Sequence, residues 1–300
     1  MSASPSSLFD PDSFVDRVAE QALFHRLLRF EEDARVLTIQ DGRGRGKSHL
    51  LRLLRHQCKF GNPAVAVCYV ALDELSPCDP YSFTVAAARA LGEFEGIDLP
   101  GLRAAEERRF ERRMGALTGL HGRTEIGSVG AGATAAGISV GGDLVINAVA
   151  DSDPALQERM RDEATKAFRA DLRALSAERP VVLLVDAYES SAQELADWIH
   201  GLLHERVDAA GDKLVLVLAG QRISTATLKL MLGARFADVV RSVNELSTWE
   251  PDHVRAVLDA HGVRRYDDAD VDYLVSKLAD GRPIGLTVAS IVQFLREGGE

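Results

Sequence analysis

The residues with the clearest chemical potential lie between Gln40 and Leu50, in the stretch QDGRGRGKSHL. Lys47 and Ser48 follow Gly46, with further glycines at Gly44 and Gly42. The phosphate-loop pattern G-x-x-x-x-G-K-[ST] asks for glycine where this chain has Asp41. Glycines at these positions permit backbone conformations that turn several N–H groups inward and so form an anion nest. The N-terminus of a following helix adds partial positive charge. Lys47 is then placed to reach β- and γ-phosphates, and the Ser48 hydroxyl to ligate magnesium. A carboxylate aimed at phosphates is repulsive, so Asp41 is expected to turn away, toward Arg43 or Arg45.

Such a loop needs a second acid at the end of a buried strand, and VVLLVDAYE supplies one. Asp186 follows five apolar residues and is the candidate to hold magnesium through its water shell. Glu189, three residues later, is the candidate to polarise an attacking water. A third apolar run, LVLVLAGQR, ends in Gly220, Gln221 and Arg222. A cation there could sense a γ-phosphate and neutralise charge in the transition state.

These groups require a scaffold that brings several strand ends together. Apolar runs predict strands at about 35–40, 65–70, 181–186, 213–219 and 237–242. Most run without polar alternation, which predicts strands covered on both faces, as in a parallel α/β sheet. Helical spacing predicts a helix from Asp16 to Asp33, another over KSHLLRLLRHQC, and helices in PYSFTVAAARALGEF and LRAAEERRFERRMGAL. Residues 153–178 read as a helix capped by Asp153, and SAQELADWIHGLLHERV as a further one. After Trp249 the chain turns helical in three segments, which we read as a lid subdomain. The predicted organisation is a lead-in over 1–12, a core over 13–247 with a Gly/Ala-rich insertion at 121–152, and a helical lid over 248–300.

Composition bounds the function. The formal net charge of −10 argues against a general coat for nucleic acid or an anionic membrane. Three cysteines, Cys58, Cys68 and Cys78, suit neither a disulfide framework nor a zinc site and read as reduced thiols of a cytoplasmic protein. The N-terminus lacks the basic and apolar regions of a secretory signal, and no stretch is expected to span a membrane.

In this order the motifs resemble those of P-loop ATPases of the STAND class, signal-transduction relatives of the AAA-type enzymes. FVDR, Phe14 to Arg17, resembles the short motif that lies against adenine, with Asp16 where glycine is often found. DGRGRGKS resembles the Walker A loop, LLVDAYE the Walker B strand, and LAGQR the end of the sensor strand. DGRPIGL, Asp280 to Leu286, resembles the lid motif whose proline, here Pro283, approaches the base. The resemblance implies an ASCE-type P-loop NTPase fold, a five-stranded parallel sheet flanked by helices, with the sensor strand between the Walker strands and a C-terminal helical lid. It implies ATP and Mg2+ as cofactors. The implied binding set is Arg17, Gly42, Gly44, Arg45, Gly46, Lys47, Ser48, His49 and Pro283, with Ser48 and Asp186 toward the metal. Lys47, Glu189 and Arg222 are the candidate catalytic groups. AAA-type enzymes usually carry their catalytic glutamate directly after the Walker B aspartate, where this chain has Ala187, so binding is better supported than fast hydrolysis.

The expected function is a nucleotide-dependent conformational or assembly switch in signalling or defence, working through self-association or a protein partner. The alternatives are a DNA-linked initiator-like ATPase or a ring-forming ATPase whose output is turnover. A ring needs an arginine offered to a neighbour, for which Arg235 and Arg241 are candidates. The acidic balance speaks against nucleic acid, and the basic cluster ERRFERR, Glu107 to Arg113, reads as a solvated helix face. No guanine-reading NKxD motif is present, which favours ATP over GTP. Residues 126–150 carry a single charge, Asp143, and suit a hairpin turning at Gly141–Gly142 that could serve as an assembly surface. His200 and His204 have zinc-compatible spacing but lack supporting ligands, and read as amphipathic helix surface.

Overall fold

The computed structural model describes residues 17–61, 64–123, 154–207, 211–246, 250–260, 262–263 and 266–279. The described chain divides into two compact units, one formed by the residues up to Ile97 and from Leu175 onward, the other by Asp98–Ala174.

The first unit is organised by a parallel sheet of five strands: β1 (Val36–Gln40), β2 (Ala66–Ala71), β3 (Val181–Asp186), β4 (Leu214–Gly220) and β5 (Val240–Val243). Their order across the sheet is β2-β3-β4-β1-β5, so the strand of the LAGQR run lies between the other two motif-bearing strands. All six residues of β3 and all seven of β4 are buried. That is why neither sequence alternates: both faces of these strands are covered, and a polar side chain on either face would lose water without gaining a partner. Leu37, Ile39, Val182, Leu184, Val215 and Val217 point to one face. They pack there with α1 (Val18–Leu28) through Phe24, Leu27 and Leu28, and with α2 (Lys47–His56) through Leu50, Leu51, Leu53 and Leu54. Each such apolar side chain contributes about 1.5–3 kcal/mol by leaving water.

Local chemistry explains where the elements stop. The helix expected to reach Asp33 ends at Leu28, because Phe30 takes a left-handed φ of 58°. The amides of Arg29, Phe30 and Glu31 bond back to His25, Leu27 and Arg26 and close the terminus. The Arg35 guanidinium covers the Phe30 ring, 4.9 Å from its centroid. Helix α2 runs on into a π-helical turn, Gln57–Gly61. Helix α3 (Pro80–Glu95) opens with Asp79 accepting the Ser82 amide at 2.7 Å and Pro80 in its first position, and it packs on β2. Strand β5 begins three residues later than the apolar run suggests. Phe236–Val239 instead form a helical turn, whose Ala237 and Asp238 carbonyls accept from Arg241 Nη1 at 2.7 and 3.3 Å.

Three further helices belong to this unit: α6 (Gln193–Val207), α7 (Thr225–Leu232) and, with its last turn here, α5 (Pro154–Glu178). The turn Phe236–Val239 is α8, and the C-terminal segments give α9 (Pro251–Ala260) and α10 (Asp268–Ala279). These last two share their own small core of Val254, Leu258, Val263, Val271 and Leu274. Asp153, the third C-terminal helical segment and the whole of the 126–150 segment lie outside the described residues.

The second unit holds α4 (Pro100–Arg123) and the remainder of α5. Its charged helices meet through a cap supplied across the pair. The Asp171 carboxylate on α5 accepts the Gly101 and Leu102 amides at 3.1 and 2.8 Å, so an anion from one helix satisfies two orphan donors at the start of the other. Replacing this carboxylate, Asp171→Ala, should cost about 1–2 kcal/mol. Urea denaturation will read the loss, and the Gly101 and Leu102 amides should exchange with deuterium faster.

Candidate functional site

Parallel pairing aligns the C-terminal ends of β1, β3 and β4. Gln40 pairs with Gly220, Val185 with Leu218, and Ala71 of β2 with Asp186. Beyond these ends, where neighbouring strands connect in opposite directions, α/β sheets form their ligand crevices. The glycine-rich loop stands at that edge, between β1 and α2.

Gly44 and Gly46 both take left-handed backbone, at φ 79° and 92°, and Gly46 caps α2. An L side chain at either position would be strained, so glycine is required by conformation. Gly42 does not share this geometry. It serves through its peptide groups: its amide donates to Asp41 Oδ1 at 2.6 Å and its carbonyl accepts from Lys47 Nζ at 2.7 Å. Lys47, though charged, is only 8% exposed. Its ammonium also donates to the Asp41 carbonyl at 2.7 Å. Burial lowers its pKa, while the charges of Asp41, Glu189 and Asp186 oppose that shift. The field at Lys47 therefore registers all three acids around it.

Asp41 turns out to be anchored, and only one part of its anchoring was expected. The ion pair with Arg45 is long, Nε to Oδ1 3.9 Å. The stronger tie is the Leu246 amide, which donates to Asp41 Oδ2 at 3.0 Å. Leu246 follows β5, the edge strand beside β1, and is buried in the sheet core, so Asp41 joins the loop to that edge of the sheet. The substitution of glycine by aspartate thus carries a structural function.

Arg17 is 3% exposed and adopts left-handed backbone at φ 73°. Its Nη2 donates to the Arg45 carbonyl at 3.0 Å, which brings the N-terminal motif onto the glycine loop. Ser48 and His49 sit in the first turn of α2, both partly exposed. Burial and the Arg52 charge lower the His49 pKa, with Asp186 opposing, so at neutral pH the imidazole is neutral.

Asp186 is 6% exposed. Its Oδ1 accepts the Ala187 amide at 2.9 Å and its Oδ2 the Tyr69 hydroxyl at 2.8 Å. Ala187 itself takes left-handed backbone, at φ 53°, as the chain turns out of the strand. Burial and then the Asp186 charge raise the Tyr69 pKa far above its ordinary value, so the phenol remains a donor. Glu189 reaches across to β4, where its Oε2 accepts the Gln221 amide at 2.8 Å. A Cβ at Gly220 would lie 2.6 Å from that oxygen, so glycine there makes room for the acid. Arg222 follows and is exposed. The Gln40 side-chain Oε1 fixes the next turn by accepting the Ile223 amide at 3.0 Å.

Lys47 and Ser48, at the start of the helix after β1, and Asp186 and Glu189, at the end of β3 and in the turn after it, thus lie along one edge of the sheet, and Arg17 and Arg45 join at the loop. Pro283 lies outside the described residues. Arg241 does not face outward for a neighbour: it bonds Glu32 at 2.6 Å. His200 is buried, against the expectation of helix surface, because its helix turns it inward to Tyr188 Oη at 3.3 Å, while His204 is exposed. Tyr69 and the Asp41–Leu246 tie were missed. The signal for Tyr69 was a phenol near the end of the otherwise apolar run AVAVCYVAL; for the tie, no sequence pattern links residues so far apart.

The donors fit a triphosphate with a hard cation. Left-handed glycines before a helix N-terminus are the kind of backbone arrangement that takes a phosphate, and the Ser48 hydroxyl and Asp186 carboxylate are oxygen donors. Among the described residues no cluster of three His, Cys, Asp or Glu could cage a metal. Magnesium suits this donor set, since it binds through one or two protein oxygens together with phosphates and water.

Two solved structures share the architecture. The Walker-type ATPase PABY2304 of Pyrococcus abyssi is similar with a TM-score of 0.53 at 14% identity, over 97% of this chain and 72% of that one. Cdc6p from Pyrobaculum aerophilum is similar with a TM-score of 0.52 at 14% identity, over 98% of this chain and 66% of that one. The chain thus spans roughly two thirds to three quarters of these proteins. No protein-family model matches the chain, and no curated protein does. The sheet order and these likenesses define an α/β P-loop NTPase fold. No helix among the described residues is long and apolar enough to cross a membrane.

Removing the Asp41 tether, Asp41→Ala, should destabilise the protein by about 1–3 kcal/mol, because two amides lose their acceptor. Chemical denaturation will measure this, and the Leu246 amide should lose hydrogen-exchange protection. A second expectation concerns acid. Burial lowers the His200 pKa below 6.5, with Asp197 opposing, so the unfolded chain binds more protons than the folded one below that pH. Stability linked to this group is complete above 6.5 and is lost as pH falls through the lowered value. In His200→Gln the fall in urea midpoint between about pH 7 and 5 should be shallower.

Proposed function

We propose that the chain binds ATP with magnesium at the glycine loop and hydrolyses it slowly, as a nucleotide-dependent switch of the STAND type. The observation that carries this reading is Lys47. It is a buried ammonium held by loop carbonyls at the N-terminus of α2, in the field of Asp41, Asp186 and Glu189. On phosphate binding, Lys47 exchanges those carbonyls for phosphate oxygens, and the amides of the loop and first helical turn face the same anion. Ser48 and Asp186 hold the metal side, where magnesium supplies neutralisation of developing phosphate charge. Glu189 orients the attacking water, and exposed Arg222 senses the γ-phosphate from the end of β4. Arg17, held on the glycine loop, takes the base side, and His49 lines the phosphate side as a neutral group.

Slow turnover follows from where the acid sits. The position after Asp186 is Ala187, and Glu189 is bonded to the Gln221 amide. Glu189 must give up that bond before it orients water. Occupancy then sets the arrangement of the C-terminal helices and association with a second copy or a protein partner. The ring-forming reading needs a projecting arginine, for which Arg235 and Arg241 are the candidates; Arg241 is bonded to Glu32 at 2.6 Å.

The test is nucleotide binding and phosphate release by wild type, Lys47→Ala and Glu189→Gln. Lys47→Ala should weaken ATP binding at least tenfold, since hydrogen bonds to a charged group contribute about 1.5–3 kcal/mol each. Glu189→Gln should bind ATP as wild type does and release phosphate about 100-fold more slowly. Unchanged affinity in Lys47→Ala sinks the site assignment.

A further inference from the structure

We infer that Tyr69 is a positioning residue for the metal side of this site, acting through Asp186; the inference rests on the ATP·Mg reading above. Asp186 has two carboxylate oxygens, and each is held by a different kind of donor. One is bonded at 2.9 Å by the Ala187 amide of its own strand end. The other is bonded at 2.8 Å by the Tyr69 hydroxyl, which comes from the adjacent strand. The amide contact alone leaves the carboxylate free to rotate about its Cβ–Cγ bond. The second donor, from a different strand, fixes the carboxylate plane.

The sheet makes the second contact reliable. β2 pairs with β3 in register over six residues, with Tyr69 opposite Leu184 and Ala71 opposite Asp186. Tyr69 therefore starts two residues short of Asp186 along the strand direction, and its long ring spans that offset to place the hydroxyl at the carboxylate. A phenylalanine would fill the same space without the donor. A serine or threonine would have a donor without the reach. Tyrosine is also the one partly exposed residue among the first five of β2, whose other four are buried and apolar. Its ring packs against the sheet core, and its hydroxyl goes beyond that packing to reach the Asp186 carboxylate.

A donor to a metal-side carboxylate has a defined effect. It leaves each oxygen at least one lone pair for water bound to the cation and holds those lone pairs in a fixed direction. Partners of this kind typically change metal affinity about 10- to 100-fold when removed. Tyr69 touches neither nucleotide nor metal in this arrangement, so its effect on nucleotide should depend entirely on magnesium.

The experiment uses the full 300-residue chain and a fluorescent ATP analogue, titrated in EDTA and across a magnesium series. In Tyr69→Phe the affinity in EDTA should equal that of wild type, and the magnesium concentration for half-maximal enhancement should rise about tenfold. In an Asp186→Asn background the same substitution should shift it no further. The inference is overturned if Tyr69→Phe leaves the magnesium dependence unchanged, or if the shift persists undiminished without the Asp186 carboxylate. It is overturned equally if affinity in EDTA falls in parallel, which marks a general packing effect. A thermal midpoint recorded for each variant identifies such an effect directly. Wild type that binds no analogue in either condition rejects the ATP·Mg reading itself, so the two failures are distinguishable.

Discussion

A buried ammonium has to be given acceptors, and the arrangement of the whole sheet edge follows from how Lys47 obtains them. Two come from peptide carbonyls of its own loop, at Asp41 and Gly42. Peptide oxygens can converge on one point only if the chain turns sharply, which the left-handed Gly44 and Gly46 allow. Carbonyl dipoles alone do not offset the desolvation of a full charge. The remaining compensation is long-range, from carboxylates at the ends of β1 and β3 and in the turn after β3. Those acids are near Lys47 because β4 separates β1 from β3 by one strand, and the three ends are in register.

Much of this was legible in sequence because it follows from short-range rules. Uninterrupted apolar runs located five strands, each within a few residues, since a strand covered on both faces has no room for a polar side chain. The placement of Lys47 at a helix start required only the glycines and the leucines after it. Legibility failed where long-range contacts decide. Phe30 ends α1 although its residue type does not favour left-handed backbone, and Phe236–Val239 forms a helical turn where the residues suit a strand. His200 belongs to the core because α6 rotates it toward Tyr188, a choice made by the packing of the helix and invisible in its i, i+4 spacing.

Asp41 illustrates the same division. Electrostatics alone predicted that its carboxylate would turn toward nearby arginines, whereas its two oxygens take the Gly42 and Leu246 amides. The nearby arginines seemed natural partners because they are close in sequence, yet an exposed ion pair contributes little, and here it is long. A backbone amide at Leu246, with its side chain fixed in the core, is a better donor because it is already ordered and loses little entropy on bonding. The loop is consequently tied to the chain just after β5.

The two acids at the end of β3 and in the turn after it are controlled from opposite sides. Asp186 is fixed from β2 by Tyr69 and from its own turn by Ala187, whereas Glu189 is fixed from β4 by the Gln221 amide. The contrast in burial matters: Asp186 is enclosed and doubly bonded, while Glu189 is exposed and reaches past Gly220 to the Gln221 amide. A carboxylate with one exposed bond exchanges it for water at small cost, because net hydrogen-bond strength in contact with solvent is modest. The acid assigned to the metal is thus rigid and the acid assigned to water is movable. Rigidity suits a ligand whose geometry must be set in advance, and mobility suits a group whose engagement is conditional. On the proposed reading, the end of β4 therefore governs when Glu189 is released, and turnover is coupled to the strand that carries Arg222.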